Sequence, residues 1–144
     1  MNQTSTLQLK ISSNAQGLEQ LTRPMLRLLS QVTGMESTYL TIIDIDRGRQ
    51  YVQYALNEGS MVIPEGLSVP WEDTLCKRAI EENRLYSDDV SECWSDSDAA
   101  AALGIKTYLS TPIRSKTGRL LGTVCAASSR QVPAQPDVEI LLPL

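Results

Sequence analysis

The thiols of this chain, and one residue type it lacks, bound the chemistry open to it. Cys76, Cys93 and Cys125 are its cysteines, and none of its 144 residues is histidine. Without an imidazole there is no Ser-His-Asp or Cys-His nucleophile, and no His-ligated zinc or haem. An odd number of cysteines without CxxC spacing indicates neither a disulfide framework nor a thiolate zinc site, and it fits a reducing compartment. Cys76 falls with Leu75 and Ala79 on the apolar face of a short helix and reads as a small buried hydrophobe. Cys125 shares a strand face with Leu121 and Thr123 and reads as core. Cys93 stands beside Trp94 in SECWSDSD, a polar and exposed loop, which makes it the best candidate for a reactive thiol, although Glu92, Asp96 and Asp98 disfavour its thiolate.

Non-covalent recognition has more candidates. Trp71 and Trp94 each carry a large polarisable face on which a planar ligand could stack, or a body that packs into the core. Asp73, Thr74 and Arg78 follow Trp71 at spacings that aim polar groups toward a ligand head group, with Arg78 offering a bidentate fork. The same residues also suit a capped helix start with solvated charges. Tyr108 and Ser110 share one face of a strand and are the next polar groups for a pocket. Asp88 and Asp89 are neighbours, and neighbours on a strand point to opposite faces, so they form no shared acid-base site. A phosphate would find only Lys77, Arg78 and their helix start, where Glu72 and Asp73 repel it; a neutral, zwitterionic or cationic ligand is favoured. These residues leave the cofactor, if any, unknown.

Composition narrows the partners. Thirteen basic against seventeen acidic residues, a net charge of -4, create no basic field, so neither nucleic acid nor an anionic membrane surface is an expected partner. The opening MNQTSTLQLKISSN lacks the charged start and apolar run of a secretory signal, and no apolar stretch approaches the ~20 residues needed to span a bilayer. A cytoplasmic location is expected.

These residues must be positioned by elements that the periodicity predicts. Residues 1–15 read as a flexible segment, and 16–144 as one domain. From Gln16 to Gly34, Leu18, Leu21, Met25, Leu28, Leu29 and Val32 recur at helical spacing, with Pro24 as a kink. STYLTIIDID reads as a strand buried on both sides, and 50–56 as its hairpin partner, with Gln50, Val52, Tyr54 and Leu56 on one face. WEDTLCKRAIEEN reads as a short helix with Trp71, Leu75, Cys76, Ala79 and Ile80 on one face, 84–89 as a short strand, and Asp98 to Leu103 as a short helix before Gly104. Thr107 to Arg114 and Arg119 to Ala127 form a second hairpin around Gly118. DVEILLPL begins a helix that stops while still apolar, as in a domain cut from a longer protein. The order predicts an α+β fold, an antiparallel sheet covered by helices.

The stretches TGMESTYLTIID, WEDTLCKRAIEEN and KTYLSTPIRSKTGRLLGTVCAAS, in this order, resemble a GAF domain, and Gly122-Thr123-Val124-Cys125 after Tyr108 and Pro112 carries most of the likeness. The resemblance implies a profilin-like antiparallel sheet of five to six strands, a pocket wall at the helix holding Cys76, and regulation of an attached output domain such as a diguanylate cyclase or histidine kinase. It also implies a homodimer through the first and last helices. Two other readings remain beside it: a cysteine-dependent free methionine sulfoxide reductase, and a dimerisation module that binds nothing. A bilin photoreceptor is disfavoured because its Cys-His pair cannot occur.

Overall fold

The computed structural model describes the backbone of residues 3–132 and side chains from Gly17 onward, so the helix expected in DVEILLPL lies outside the described residues. The chain begins as one helix, α1 (Gln3–Thr33), which starts well before the expected Gln16 and carries Pro24 within it. No glycine or proline precedes Gly17 to stop it. It ends at Gly34, whose φ of +70° lets its N–H return to the Ser30 carbonyl at 2.9 Å.

The face that α1 turns inward is not the expected stripe. Thr22, Leu26, Leu29 and Thr33 are buried at spacings of four, three and four, with Met25 and Val32 half-buried beside them. Leu18, Leu21 and Leu28 point outward, Leu21 with 76% of its surface exposed. An α-helix on one sheet face buries only a limited arc, and Leu26, which the stripe omitted, occupies its centre.

Six strands form one antiparallel sheet in the order β3-β2-β1-β6-β5-β4: β1 (Ser37–Asp44), β2 (Arg49–Asn57), β3 (Ser68–Pro70), β4 (Tyr86–Ser87), β5 (Thr107–Arg114) and β6 (Leu120–Ser128). The α+β class and the two hairpins stand as expected. The strict alternation expected in β2 does not. Leu40 pairs with Tyr54 but Thr41 with Val52, so a bulge at Gln53 sends Gln50 and Val52 to one face and Tyr54 and Leu56 to the other. A second irregularity, at Ile113/Arg114, leaves Leu121 unpaired and 41% exposed, off the buried face of Thr123 and Cys125.

The expected single helix from Trp71 is two pieces. Trp71–Asp73 forms a 3-10 turn and α2 spans Leu75–Glu81, because the extended Thr74 between them caps α2 through Lys77 N–H. Two further short helices follow, α3 (Val90–Cys93) and α4 (Asp98–Leu103), the latter closed by Gly104 at φ +73°. One sheet face packs on α1 through Leu26, Leu40, Tyr54 and Val124; the other packs on α2, α3 and α4 through Tyr39, Val52, Ala79, Trp94 and Tyr108. Each large side chain so buried contributes about 1.5–3 kcal/mol.

Glu36 ties the sheet's edge loops together. Its Oε2 accepts from Ser60 N–H, the Ser60 hydroxyl and Met61 N–H at 3.0, 3.1 and 3.1 Å. Its Oε1 accepts from the Ser128 hydroxyl, Ser129 N–H and the Ser129 hydroxyl at 3.0, 3.0 and 2.6 Å. The Ser129 hydroxyl foremost, with Met61, Ser128 and the Ser129 N–H, outweighs burial and lowers the Glu36 carboxyl from 4.5 to about 2.

Candidate functional site

The sheet face under α2 carries polar side chains where a core would ordinarily be apolar. Period-two alternation turns Tyr39 and Thr41 of β1, Tyr108 and Ser110 of β5, and Thr123 and Cys125 of β6 to that side; the β2 bulge delivers Gln50 there as well. Buried polar atoms require partners, and here they find one another. Gln50 Nε2 donates to Thr41 Oγ1 at 2.7 Å and to Cys76 Sγ at 3.0 Å, while Thr41 and Thr123 hydroxyls lie 2.6 Å apart. Cys76, lowered onto the network by α2, also meets the Tyr108 hydroxyl at 2.6 Å, Thr123 Oγ1 at 3.3 Å and Cys125 Sγ at 3.6 Å. Cys125 meets Tyr108 at 3.3 Å and Thr123 at 3.0 Å.

The two thiols titrate in opposite directions. Burial pushes Cys76 up, but the hydrogen bonds from Cys125, Gln50, Thr123 and Tyr108 together outweigh it, so its pKa falls below that of an ordinary thiol. Burial, followed by hydrogen bonding to Cys76 and the field of its sulfur, drives Cys125 well above the ordinary value. The same network thus favours the thiolate of Cys76 over that of Cys125. Burial also raises the Tyr39 and Tyr108 phenols, which stay protonated as donors.

A cavity opens over this network. Thr41, Gln50, Cys76 and Tyr108 form its floor; Leu67, Val69, Ala99 and Leu103 form its roof. All the space between the walls, the mouth included, is about 460 Å³, whereas the part a water molecule can occupy is about 50 Å³. Among the described residues, no carboxylate, ammonium or guanidinium lines it, and no cluster of three or more His, Cys, Asp or Glu is placed to hold a metal.

Of the sequence candidates, Thr74, Cys76 and Tyr108 line this cavity, and Ser110 lies fully buried beside the thiols at 3.8 Å from Cys125. Trp71, Asp73, Arg78 and Trp94 do not line it. Trp71 is half-buried against the same core. Trp94 is buried, not in an open polar loop: its ring meets Tyr108 edge-on at 6.4 Å and its Nε1 donates to Glu82 at 2.9 Å. Asp73 accepts the N–H groups of Asp98 and Ala99 at the start of α4, at 3.2 and 2.8 Å. Arg78 directs its fork to Asp73 and Asp96, at 3.3 and 2.5 Å. Cys93 is half-buried at the end of α3, where its sulfur lies 3.4 Å from Ser87 Oγ. Burial foremost, and then Asp89 rather than Glu92, Asp96 or Asp98, raises its pKa. Gln50, Thr41, Thr123 and Cys125 were missed as site residues. The available signal was polar residues at inward positions of strands otherwise reading as core.

The comparisons with known proteins agree with this architecture. The family model described as GAF domain matches residues 17–142. Diguanylate cyclase DgcP of Escherichia coli (strain K12) is 50% identical over 116 residues, which cover 81% of this chain and 34% of that protein; the chain thus spans about a third of its curated relative. Among solved structures, the GAF domain of a two-component sensor histidine kinase from Bacillus halodurans superposes with a TM-score of 0.65 at 17% identity, over 87% of this chain and 85% of that one. A type II free methionine-R-sulfoxide reductase from Thermoplasma acidophilum gives 0.64 at 14% identity, over 85% and 82%; at such identities both show a shared fold alone. With six strands in this order, helices on both faces and a family match over nearly the whole length, the chain belongs to the GAF domain family.

Proposed function

We propose that this chain is a regulatory ligand-binding domain that closes around a small uncharged metabolite and passes its occupancy to an attached output domain. The observation that carries the reading is the cavity between α2 and the sheet, with a hydrogen-bonding floor of Gln50, Thr41, Thr74 and Tyr108 under an apolar roof. A few convergent polar groups inside an apolar shell are what orients a small ligand. The absence of charged groups from its described lining weighs against phosphates, including cyclic nucleotides, and narrows the ligand to an uncharged one. The roof belongs to β3, its approach and α4, short elements that can move outward to admit a ligand larger than water.

The output is proposed from the diguanylate cyclase relative, of which this chain matches 34%. The exposed Leu18, Leu21 and Leu28 supply a helix face suited to a homodimer. No helix among the described residues is long and apolar enough to cross a membrane, and we place the domain in the cytoplasm. A methionine sulfoxide reductase is the competing reading. Its thiols must reach a substrate of amino-acid size, whereas Cys76 and Cys125 are 3% and 0% exposed and the Cys93 pKa is raised.

Native mass spectrometry of the protein purified from its own cells tests this. Wild type should carry a bound mass that Ala100→Leu, which fills the cavity, loses. Absence of bound mass, together with no thermal shift from a panel of uncharged metabolites, overturns the proposal in favour of a purely structural dimerisation module. Dithiol-driven turnover of methionine sulfoxide overturns it in favour of the enzyme.

A further inference from the structure

The cavity and the thiol pair have a joint property that ligand binding does not use. Cys76 Sγ and Cys125 Sγ are 3.6 Å apart, on α2 and β6, and Cys76 faces the water-sized space of the cavity. We propose that Cys76 and Cys125 form a peroxide-sensing dithiol, in which Cys76 is the attacking sulfur, Cys125 the resolving sulfur, and hydrogen peroxide the oxidant. This proposal is independent of whether a metabolite binds.

The chemistry balances in two steps. The Cys76 thiolate attacks one oxygen of hydrogen peroxide; an S–O bond forms, the O–O bond breaks, and the departing hydroxide takes up the equivalent of the proton that Cys76 lost on ionising and leaves as water, with Cys76 oxidised to sulfenic acid. Cys125 sulfur then attacks Cys76 sulfur; the S–S bond forms, the S–O bond breaks, and the hydroxide leaves as water with the Cys125 proton. In sum, two thiols and one peroxide give one disulfide and two waters. The surroundings suit each role. Gln50 donates to the Cys76 sulfur at 3.0 Å and the Tyr108 hydroxyl lies 2.6 Å from it, contacts that favour the Cys76 thiolate over that of Cys125, which burial raises. Hydrogen peroxide is small enough to enter the space of about 50 Å³ that Cys76 lines.

Disulfide formation must also move an element. Sulfurs 3.6 Å apart have to close to about 2.05 Å. β6 is central, paired with β1 on one side and β5 on the other, so the shift falls mainly on α2, the cavity wall. Oxidation therefore draws α2 toward β6.

Peroxide titration of the chain, followed by thiol alkylation and peptide mass analysis, tests the proposal. Hydrogen peroxide should remove two hydrogens from wild type, leave Cys93 alone alkylatable, and yield a peptide pair bridged through Cys76 and Cys125. Cys93→Ser should behave alike, and Cys125→Ser should stop at a sulfenic acid on Cys76 that dimedone captures. Oxidation that starts at Cys93, a bridge that includes Cys93, or thiols that stay reduced while free cysteine in the same solution is consumed each overturn it. Should Cys125→Ser fail to fold, the wild-type peptide map decides by itself.

Discussion

Replacing Glu36 by Gln leaves the shape of the side chain almost unchanged and removes one acceptor oxygen from a site where both oxygens are fully used. The amide nitrogen must face one of two sets of donors. Toward Ser60 and Met61 it would leave two backbone N–H groups without an acceptor; toward Ser128 and Ser129 it would leave one, because both serine hydroxyls can rotate to accept instead. The side chain will choose the second orientation. One orphaned N–H costs about 1–3 kcal/mol, and the remaining donations lose their charge assistance, so we expect a total near 3 kcal/mol. For a chain of this length that lowers Tm by ~8 °C.

The pH dependence gives the experiment its discrimination. The Glu36 carboxyl is lowered from 4.5 to about 2 on folding, so its contribution is complete above pH 4.5 and is lost as pH falls from there toward 2. Urea unfolding at pH 7 and at stepped values down to pH 2.5 should show Glu36→Gln well below wild type at neutral pH and converging on it in acid. Glu65 and Asp89, also lowered, titrate in both proteins and cancel in the difference. A loss under ~0.5 kcal/mol at pH 7, or a gap that stays constant through acid, would refute the clamp.

Two further outcomes follow from close contacts. A Cβ at Gly122 would collide with the Thr41 carbonyl oxygen, so Gly122→Ala must push β6 from β1; it should cost about 3 kcal/mol or more in urea unfolding, and a cost below ~1 kcal/mol would contradict the packing. Asp73→Ala removes the acceptor for the first N–H groups of α4 and one partner of Arg78. It should cost about 1–2 kcal/mol and speed amide exchange in α4 while the β1–β6 amides hold, whereas uniform acceleration would show that Asp73 supports the whole fold.

How far the fold and the site could be read from the chain differs for a physical reason. Helices and hairpins follow from local periodicity, which is why α1, both hairpins and the short helix before Gly104 were legible. Failures came where one residue reset the pattern. Extended backbone at Thr74 split a helix, and the extra residue at Gln53 exchanged the faces of β2, parting Val52 from Tyr54. The exposed Leu18, Leu21 and Leu28 match the helical period as well as the buried Leu26 and Leu29 do, so spacing alone could not select the arc that meets the sheet.

The site is harder because its chemistry is assembled at long range. Cys76 carries the same local pattern whether it is an inert core thiol or an activated one. What separates the two is a set of partners, Gln50, Tyr108, Thr123 and Cys125, that lie 26, 32, 47 and 49 residues away. Each of them is individually an ordinary strand residue. Cys93 is different, since the carboxylate that raises it is Asp89, one helical turn before it at the start of α3, and not Glu92, Asp96 or Asp98. One general signal does survive in the sequence. Thr41, Ser110 and Thr123 occupy inward positions of strands that otherwise read as fully buried, and buried hydroxyls must find partners. Three such positions on adjacent strands imply a polar cluster in the core even before its thiols are located, and in this chain that cluster is the floor on which Cys76 rests.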